Sequence, residues 1–243
     1  MQSLSVVLPA FNEAQNIQNT VGGLLEILPE LVSAFEVIVV DDGSRDSTRR
    51  LAEDYARRDA RVRTLHHPHN RGYGAALKSG ILASRMEYIF FTDADGQFDL
   101  DDLRGLLHHA GSHDIIAGYR EQRSDPWPRR MNGMAWGMLV DGLFDLGVRD
   151  VDCAFKVFHR RVFERIPIFS VGAFVNTEIL VRARAEGFSI DQVPVRHFPR
   201  RFGRQSGADL QVVAKAFAEL WRLYGDLKTV QGRPELTAVR RPR

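Results

Sequence analysis

The sequence predicts an α/β fold built on a mostly parallel, doubly wound sheet with flanking helices. Two observations carry this prediction. Short apolar runs rich in Val, Ile and Phe alternate with amphipathic stretches, and the apolar residues within each run are consecutive. Consecutive apolar positions are typical of strands that are covered on both faces, and alternation of strand with helix favours parallel pairing through right-handed crossovers.

The predicted strands are short and are separated by helices or loops. They lie at Leu4–Leu8, Glu36–Val40, Val62–Leu65, Tyr88–Thr92, Ile115–Gly118, Ala154–Phe158 and Ile190–Val195. The predicted helices lie at Thr48–Arg57, Asp101–Ala110, Met131–Phe144, Asn176–Glu186 and, amphipathic and near the carboxyl terminus, Leu210–Leu227. Asp46 and Asp99 are predicted N-caps, because a carboxylate accepts the free N–H groups of a first helical turn.

Composition places the chain among ordinary soluble proteins. It has 243 residues, of which 44% are apolar and 26% charged, values near the globular average. The single cysteine, Cys153, has no partner for an internal disulfide, which favours a reducing cytoplasmic location. The first residues run directly into a strand pattern, and no apolar run approaches ~20 residues, so we expect neither secretion nor a membrane span.

Basic residues are clustered although the net charge is only +2. The clusters lie at Arg120–Arg130, Arg196–Arg204 and Arg233–Arg243. This distribution indicates a local anionic partner. Few aromatic residues interleave with the clusters and no nucleic-acid motif is present, so we do not expect a nucleic-acid partner.

Acidic residues follow three of the predicted strands. Glu13 follows the first, Asp41-Asp42 the second and Asp93-Ala94-Asp95 the fourth. Ligands of open α/β sheets bind beyond the carboxyl ends of the strands. Carboxylates gathered there repel one another unless they share a cation or a hydrogen-bonding ligand. The sequence therefore predicts a ligand site at this edge.

Asp93 and Asp95 are candidate metal ligands. Their spacing lets one turn direct both carboxylates to a common point, with the amide oxygen of Gln97 as a third ligand. Hard oxygen ligands suit Mg²⁺ or Mn²⁺, which keep positions open for phosphate oxygens. A solvated turn is the alternative for this motif alone, but its place after a buried strand favours the metal.

A nucleotide is the predicted ligand beside this metal. Asp42 can accept a hydrogen bond from a base or ribose, and Gly43 permits a tight turn. Arg71, in a glycine-rich helix start, can approach a phosphate. A dinucleotide-binding oxidoreductase is excluded, because no Gly-x-Gly-x-x-Gly follows the first strand.

These motifs together resemble the family 2 glycosyltransferases of GT-A fold, in particular the dolichyl-phosphate mannose synthase-like branch, over residues 4–206. The resemblance is carried by Leu8-Pro9-Ala10-Phe11-Asn12-Glu13, Val40-Asp41-Asp42-Gly43-Ser44, Asn70-Arg71-Gly72, Asp93-Ala94-Asp95-Gly96-Gln97, Gly118-Tyr119-Arg120, Asp152-Cys153-Ala154-Phe155-Lys156 and Arg200-Arg201-Phe202-Gly203. It implies that the nucleotide pocket is lined by Pro9, Phe11, Glu13 and Asp42, and that Asp93, Asp95 and Gln97 surround the metal.

The resemblance also implies a donor that is a nucleotide diphosphate sugar, inversion at the anomeric carbon, and a polyprenyl phosphate acceptor at a membrane surface. We then expect a catalytic domain over residues 1–207, with a nucleotide-sugar half to 118 and an acceptor half from 119, followed by a helix and basic tail over 208–243. Membrane contact is expected to be peripheral, at the inner face. A membrane-protein partner and a homo-oligomer are both compatible with the sequence.

The acceptor phosphate has its own candidate ligands. Arg120, Arg129 and Arg200 can form a clamp on a phosphate, with Lys156 close by. Solvated arginines are the alternative. Where the family often has Gly-x-Ser-Lys, this chain has Gly203-Arg204-Gln205-Ser206-Gly207, so the acceptor side departs from the pattern.

The acceptor decides whether a general base is needed. A phosphate monoester is already anionic, whereas a sugar hydroxyl needs a carboxylate to remove its proton. Asp152 and Glu178 are the candidate bases, alongside Asp95 and Arg120 as catalytic residues, and a structural role for either base candidate is equally open. His66, His67, His69, His108 and His109 are expected on the surface.

Two rivals to a polyprenyl-phosphate glycosyltransferase remain at this point. One is a glycosyltransferase that uses a sugar hydroxyl as acceptor. The other is a nucleotide-sugar binding module without turnover, which the intact set of Asp93, Asp95 and Gln97 disfavours.

Overall fold

A seven-stranded sheet forms the centre of the computed structural model, which describes residues 2–121, 127–200, 202 and 210–231, with backbone alone at 127–130, 210–213 and 229–231. The strands are β1 Ser3–Ala10, β2 Ala34–Asp41, β3 Val62–His66, β4 Tyr88–Thr92, β5 Ile115–Arg120, β6 Phe155–His159 and β7 Ile190–Val195. Their order across the sheet is β3-β2-β1-β4-β6-β5-β7. The predicted strands are confirmed, with bounds that shift by a few residues at most.

The sheet is mostly parallel, as predicted, with one reversed strand. β3, β2, β1 and β4 pair in parallel, and so do β5 and β7. β6 lies between β4 and β5 and is antiparallel to both. The chain leaves β5 at one edge of the sheet and returns to the same edge before β6 begins, so β6 has to run in the opposite direction.

Helices cover the sheet. They are α1 Ile17–Leu31, α2 Thr48–Arg58, α3 Tyr73–Ala83, α4 Leu103–His109, α5 Trp127–Phe144, α6 Arg161–Arg165, α7 Val175–Ala185 and α8 Leu210–Gln231. The short α6 was not predicted, and α1 and α3 were expected only as amphipathic stretches without bounds. The helix expected from Asp101 begins instead as a 3₁₀ turn at Leu100–Asp102, and Asp99 caps it by accepting from the Asp101 N–H at 3.1 Å. The predicted cap at Asp99 is therefore confirmed. Asp46 accepts from the Thr48 N–H at 2.9 Å, as a capping carboxylate would, but the N-cap position of α2 is Ser47, one residue further along.

The covering helices use the periodicity that their sequences show. In α1 the residues Ile17, Val21, Leu24 and Leu28 recur at helical spacing and are fully buried. Such a stripe lies on one face of a helix, and burying each of these side chains contributes roughly 1.5–3 kcal/mol. Packing of this kind fixes the loops at the strand ends, where the site is built.

α8 packs onto the body of the protein through α5. The Trp136 and Phe217 rings are 5.4 Å apart and the Phe144 and Tyr224 rings 6.0 Å apart, both edge to face. Across the described ranges, no helix is both long enough and apolar enough to cross a bilayer. α8 is packed against the preceding fold through these rings. A domain boundary near residue 207 stays a prediction.

Candidate active site

A cavity of about 450 Å³ opens where the carboxyl ends of β1, β2 and β4 meet. Many of the residues predicted from sequence line it: Pro9, Phe11, Glu13, Asp42, Asp93, Asp95 and Arg200. The structure therefore brings the expected nucleotide residues and the acidic pair into one space.

The loop after β1 is held against the loop after β2. The Glu13 N–H donates to the Thr48 hydroxyl at 2.8 Å, and Asn12 adopts a left-handed backbone with φ 57°, a conformation that asparagine tolerates better than most residues. Gly43 has φ 74°, and a Cβ there would lie 2.5 Å from the backbone carbon of His69. Only glycine fits this close approach of two loops.

Glu13, Asp93 and Asp95 form the acid cluster of the cavity. Burial raises the pKa of Asp93 to about 7, and the charge of Asp95 adds to the shift while Tyr73 opposes it. Burial also raises the pKa of Asp95, against the hydrogen bond from the Gln97 N–H and the charge of Arg200. Both shifts have the direction expected for carboxylates that share a dry site, and such groups cluster at functional sites.

The acid cluster fits a divalent cation. Oδ1 of Asp93 is buried without a hydrogen bond of normal geometry, which is a costly arrangement unless a ligand completes it. Within the described residues, no group of three His, Cys, Asp or Glu side chains would enclose a metal alone. Asp93 and Asp95 would therefore hold Mg²⁺ or Mn²⁺ together with phosphate oxygens and water, the usual arrangement for Mg²⁺.

Gln97 lies next to the acid cluster. Its backbone N–H donates to Asp95 Oδ1 at 3.1 Å, and its side-chain amide donates to the Phe198 carbonyl at 3.0 Å. The Phe198 N–H returns a bond to the Gln97 carbonyl at 2.7 Å. These bonds fasten the segment that carries Arg200, and a metal-ligand role for the Gln97 oxygen stays a prediction.

Arg200 lies on the acid cluster. Its guanidinium donates to Glu13 and, at 3.3 Å, to Oδ2 of Asp95, while Nε donates to the Phe202 carbonyl at 2.6 Å. The sequence grouped Arg200 with Arg120 in an acceptor clamp, but the structure places Arg200 in the cavity, where it supplies positive charge beside the acid cluster. A half-buried guanidinium between two carboxylates offsets their mutual repulsion.

Asp42 is almost fully buried, and its carboxylate is held from several sides. It accepts from the Arg71 N–H at 2.9 Å and the Gly72 N–H at 2.8 Å, and Oδ1 lies 2.6 Å from Nδ1 of His67. The expectation of a surface position is therefore wrong for His67, which is buried because it pairs with Asp42. The side chain of Arg71 is exposed, so the residue acts on Asp42 through its backbone.

Arg120 forms a bidentate ion pair with Asp150. Asp150 was not among the site residues predicted from the sequence. Nε and Nη2 of Arg120 donate to the Asp150 carboxylate at 2.7 and 2.8 Å, and both side chains are under 10% exposed. The charge of Arg120 partly offsets the rise in the pKa of Asp93 that burial causes. Arg120 is thus next to the site, whereas the side chain of Arg129 lies outside the described side chains.

Lys156 is not placed to bind an acceptor phosphate, which corrects the sequence-based expectation. It is fully buried, and its ammonium donates to the Val151 carbonyl at 3.1 Å and to the Cys153 carbonyl. Lys156 instead holds together the turn before β6. Asp152 lies on this turn, half-buried, and its charge acts on Lys156.

Glu178 is also placed structurally rather than as a base. It is 2% exposed, and its carboxylate accepts from the N–H groups of Phe169 and Ser170 at 3.0 and 2.7 Å and from Nε of Arg182 at 2.9 Å. These bonds fix the loop that leads into α7. The structural alternative that the sequence left open is the one observed.

Two walls of the cavity were not predicted. Val171–Phe174 form one wall, and Gly72 and Gly74 pack so closely on this loop that a Cβ at either would lie within 2.6 Å of a carbonyl oxygen. Lys215 and Glu219 of α8 line the other. Their spacing of four on an amphipathic helix was visible in the sequence, but the helix face that meets the cavity was not.

The chain belongs to the family described as Glycosyl transferase family 2, whose model matches residues 5–167. Glycosyltransferase AglD of Haloferax volcanii is 36% identical over 81% of this chain and 33% of its own length. A dolichyl-phosphate beta-glucosyltransferase of Dictyostelium discoideum is 31% identical over 79% of this chain and 65% of its own length. The chain thus spans only part of each of these relatives.

A polyprenol monophosphomannose synthase of Mycolicibacterium smegmatis is matched over most of both lengths. It is 29% identical over 95% of this chain and 91% of its own. Glucosyl-3-phosphoglycerate synthase of Mycobacterium tuberculosis, solved with Mn²⁺, UDP and its product, superposes with a TM-score of 0.72 over 92% of this chain and 80% of its own, at 21% identity. This similarity confirms the fold.

Proposed function

We propose that this chain is an inverting glycosyltransferase that moves a sugar from a nucleotide diphosphate sugar to a polyprenyl phosphate. The observation that carries the proposal is the acid cluster of Glu13, Asp93 and Asp95, gathered with Asp42 in one cavity. The names of relatives that act on dolichyl phosphate or polyprenol support the acceptor class.

The donor would lie along the cavity. Its nucleobase would meet Asp42 and the ring of Phe11, which is 42% exposed and free to stack. Its diphosphate would lie between Arg200 and the acid cluster. A divalent cation held by Asp93 and Asp95 would neutralise the charge of the leaving diphosphate.

The acceptor phosphate would reach the site from the side of Arg120. It is already anionic at neutral pH, so it can attack the anomeric carbon from the face opposite the leaving diphosphate without a general base. This fits the structure, because Glu178 is buried and its carboxylate already accepts three hydrogen bonds from the protein. Asp152 remains the base candidate for a hydroxyl acceptor.

The setting we propose is the inner face of a membrane, with peripheral contact by a cytoplasmic protein. The support is the acceptor class of the relatives. The basic residues from Arg233 to Arg243 lie outside the described residues. A membrane-protein partner and a homo-oligomer stay predictions.

A donor and acceptor screen tests the function. Purified protein is incubated with UDP- and GDP-sugars, Mn²⁺ or Mg²⁺, and either a short polyprenyl phosphate or a set of free sugars. We expect transfer to the polyprenyl phosphate alone. Transfer to a sugar hydroxyl would replace this acceptor, and nucleotide-sugar binding without hydrolysis or transfer would indicate a binding module.

Arg120→Ala separates the acceptor from the donor. Loss of a charge-assisted hydrogen bond to phosphate should lower transfer efficiency by about 10- to 150-fold with little change in donor KM. Arg120→Ala combined with Asp150→Asn is the matched control, because it also removes the charge of the carboxylate that Arg120 binds. Recovery in the double variant would show that Arg120 acts on Asp150 and not on the acceptor.

The base prediction is tested in the same assay. Asp152→Asn should be mild with a phosphate acceptor, whereas loss of a general base would cost about 10²- to 10⁴-fold. A severe Asp152→Asn beside a harmless Arg120→Ala would favour the hydroxyl acceptor.

A further inference from the structure

His67 occupies a position that the reaction outlined above does not use. It follows β3 directly, and its N–H donates to the Asp41 carbonyl at 2.9 Å, which fixes the residue beside the end of β2. Its ring is 7% exposed and lies 2.6 Å from Asp42 through Nδ1. A buried imidazole needs partners for both nitrogens.

Ser79 of α3 supplies the second partner. Its hydroxyl lies 3.0 Å from Nε2 of His67. An ionised carboxylate only accepts hydrogen bonds, so Nδ1 carries the proton towards Asp42, and Nε2 can accept from the Ser79 hydroxyl. Asp42, His67 and Ser79 therefore form a chain of hydrogen bonds from the cavity to the middle of α3.

The same helix also holds Asp42 at its start. The N–H groups of Arg71 and Gly72, which precede α3, donate to Oδ1 and Oδ2. With the His67 contact, the carboxylate accepts from three protein donors, while a carboxylate offers about four acceptor positions. One position is left on Oδ2, and Asp42 lines the cavity.

We propose that His67 is a positioning residue for donor recognition, which orients the Asp42 carboxylate towards a nucleobase that carries a ring N–H, as uracil and guanine do. This inference rests on the proposed function, since it needs a nucleotide in the cavity. Neutral cytosine and adenine carry a lone pair instead of a proton on the corresponding ring nitrogen. They can offer Asp42 only an exocyclic amino group, displaced along the edge of the base, and should bind less tightly. His67 would then affect donor affinity and base selectivity rather than the chemical step.

Calorimetry with UDP, GDP and CDP in the presence of Mn²⁺ tests the proposal. His67→Phe keeps an aromatic ring without its nitrogens. It should weaken binding of the preferred nucleotide about tenfold and reduce the preference of the protein for that nucleotide over CDP. In a transfer assay, kcat should be nearly unchanged. His67→Asn can still donate to Asp42 and should recover most of the affinity. His108→Phe, on an exposed histidine of α4, is the matched control and should bind as the parent does.

The outcomes separate this inference from the proposed function. Asp42→Asn should also weaken binding; if it does while His67→Phe binds as the parent, the role of His67 is overturned and the nucleotide site stands. If the parent binds none of the nucleotides, the proposed function itself fails. If His67→Phe does not fold, Ser79→Ala is measured instead. We expect it to lower nucleotide affinity about threefold, and an affinity equal to that of the parent would overturn the proposal.

Discussion

Two buried acidic sites lie at opposite edges of the sheet and have opposite electrostatics. In the acid cluster, burial and a neighbouring carboxylate raise the pKa of Asp93 to about 7. At the other edge, Asp114 is also buried, and burial acts to raise its pKa, but hydrogen bonds from Ser189 and Arg161 outweigh this and lower it. Burial alone therefore does not mark a functional carboxylate.

The difference lies in the donors that each carboxylate receives. Asp114 accepts from the Ser189 N–H and hydroxyl at 2.9 and 2.8 Å and from Nε of Arg161 at 2.6 Å. At Asp93 the Tyr73 hydroxyl opposes the rise in pKa through a hydrogen bond, but Oδ1 is buried without a hydrogen bond of normal geometry. A satisfied carboxylate stabilises the fold, whereas an unsatisfied one is available to a ligand.

The largest expected effect is on activity at the acid cluster. Asp95→Ala should reduce transfer to background and weaken donor binding while the protein stays folded, because we propose that its carboxylate holds the metal and makes no contact that the core needs. Steady-state kinetics with a thermal melt would check this. Transfer within about threefold of the parent, with metal still required, would contradict the assignment.

Chelation should have an effect of similar size. EDTA followed by dialysis should stop turnover, and Mn²⁺ or Mg²⁺ should restore it, since two carboxylates and a diphosphate need a shared cation. A radiochemical transfer assay would measure both steps. Undiminished transfer after exhaustive removal of metal would show that Arg200 alone neutralises the cluster.

Asp114→Asn should act on stability and leave the site intact. Losing a charged acceptor that serves several donors should lower the free energy of unfolding by about 1–3 kcal/mol at neutral pH. Because the pKa of Asp114 is lowered, this contribution is present above its ordinary value of 3.8 and is lost as the pH falls below it. Urea unfolding of the parent and the variant would measure the loss of stability, with donor KM as the control. A changed KM would contradict a purely structural role for Asp114.

The smallest expected effect is a change in pH slope. With its pKa raised from 3.8 to about 7, Asp93 keeps a proton in the folded state that it loses in the unfolded state. The free energy of unfolding of EDTA-treated protein should therefore fall as the pH rises from about 4 to about 7. Asp93→Asn should flatten this slope in urea unfolding, and an unchanged slope would assign it to other groups.

The fold could be predicted from the sequence because its signals are local. Consecutive apolar residues identified the strands, and Asp46 and Asp99 identified two helix starts through cap chemistry. The reversed direction of β6 could not be predicted, because pairing direction depends on where the chain returns to the sheet. The pattern of apolar residues along the chain does not indicate that path.

The site was predictable where residues follow strands directly. Glu13, Asp42, Asp93 and Asp95 line the cavity as expected, since strand ends meet at one edge. Roles that depend on the path of a loop were not predictable. Lys156 and Glu178 look like reactive groups in the sequence, but nearby loops fold back so that their backbone carbonyls and N–H groups engage these side chains.

The reversed β6 places the turns at its two ends at opposite edges of the sheet. Its first residue, Phe155, lies opposite Thr92 at the edge of the cavity, whereas His159 at its end donates its N–H to the Asp114 carbonyl at the far edge. Under the proposed function, varying the turn before β6 would alter the surroundings of the acceptor. The turn after it, at Arg160-Arg161, lies at the far edge of the sheet, so a fluorescent label attached through Arg160→Cys, at an exposed position, would report unfolding without obstructing the cavity.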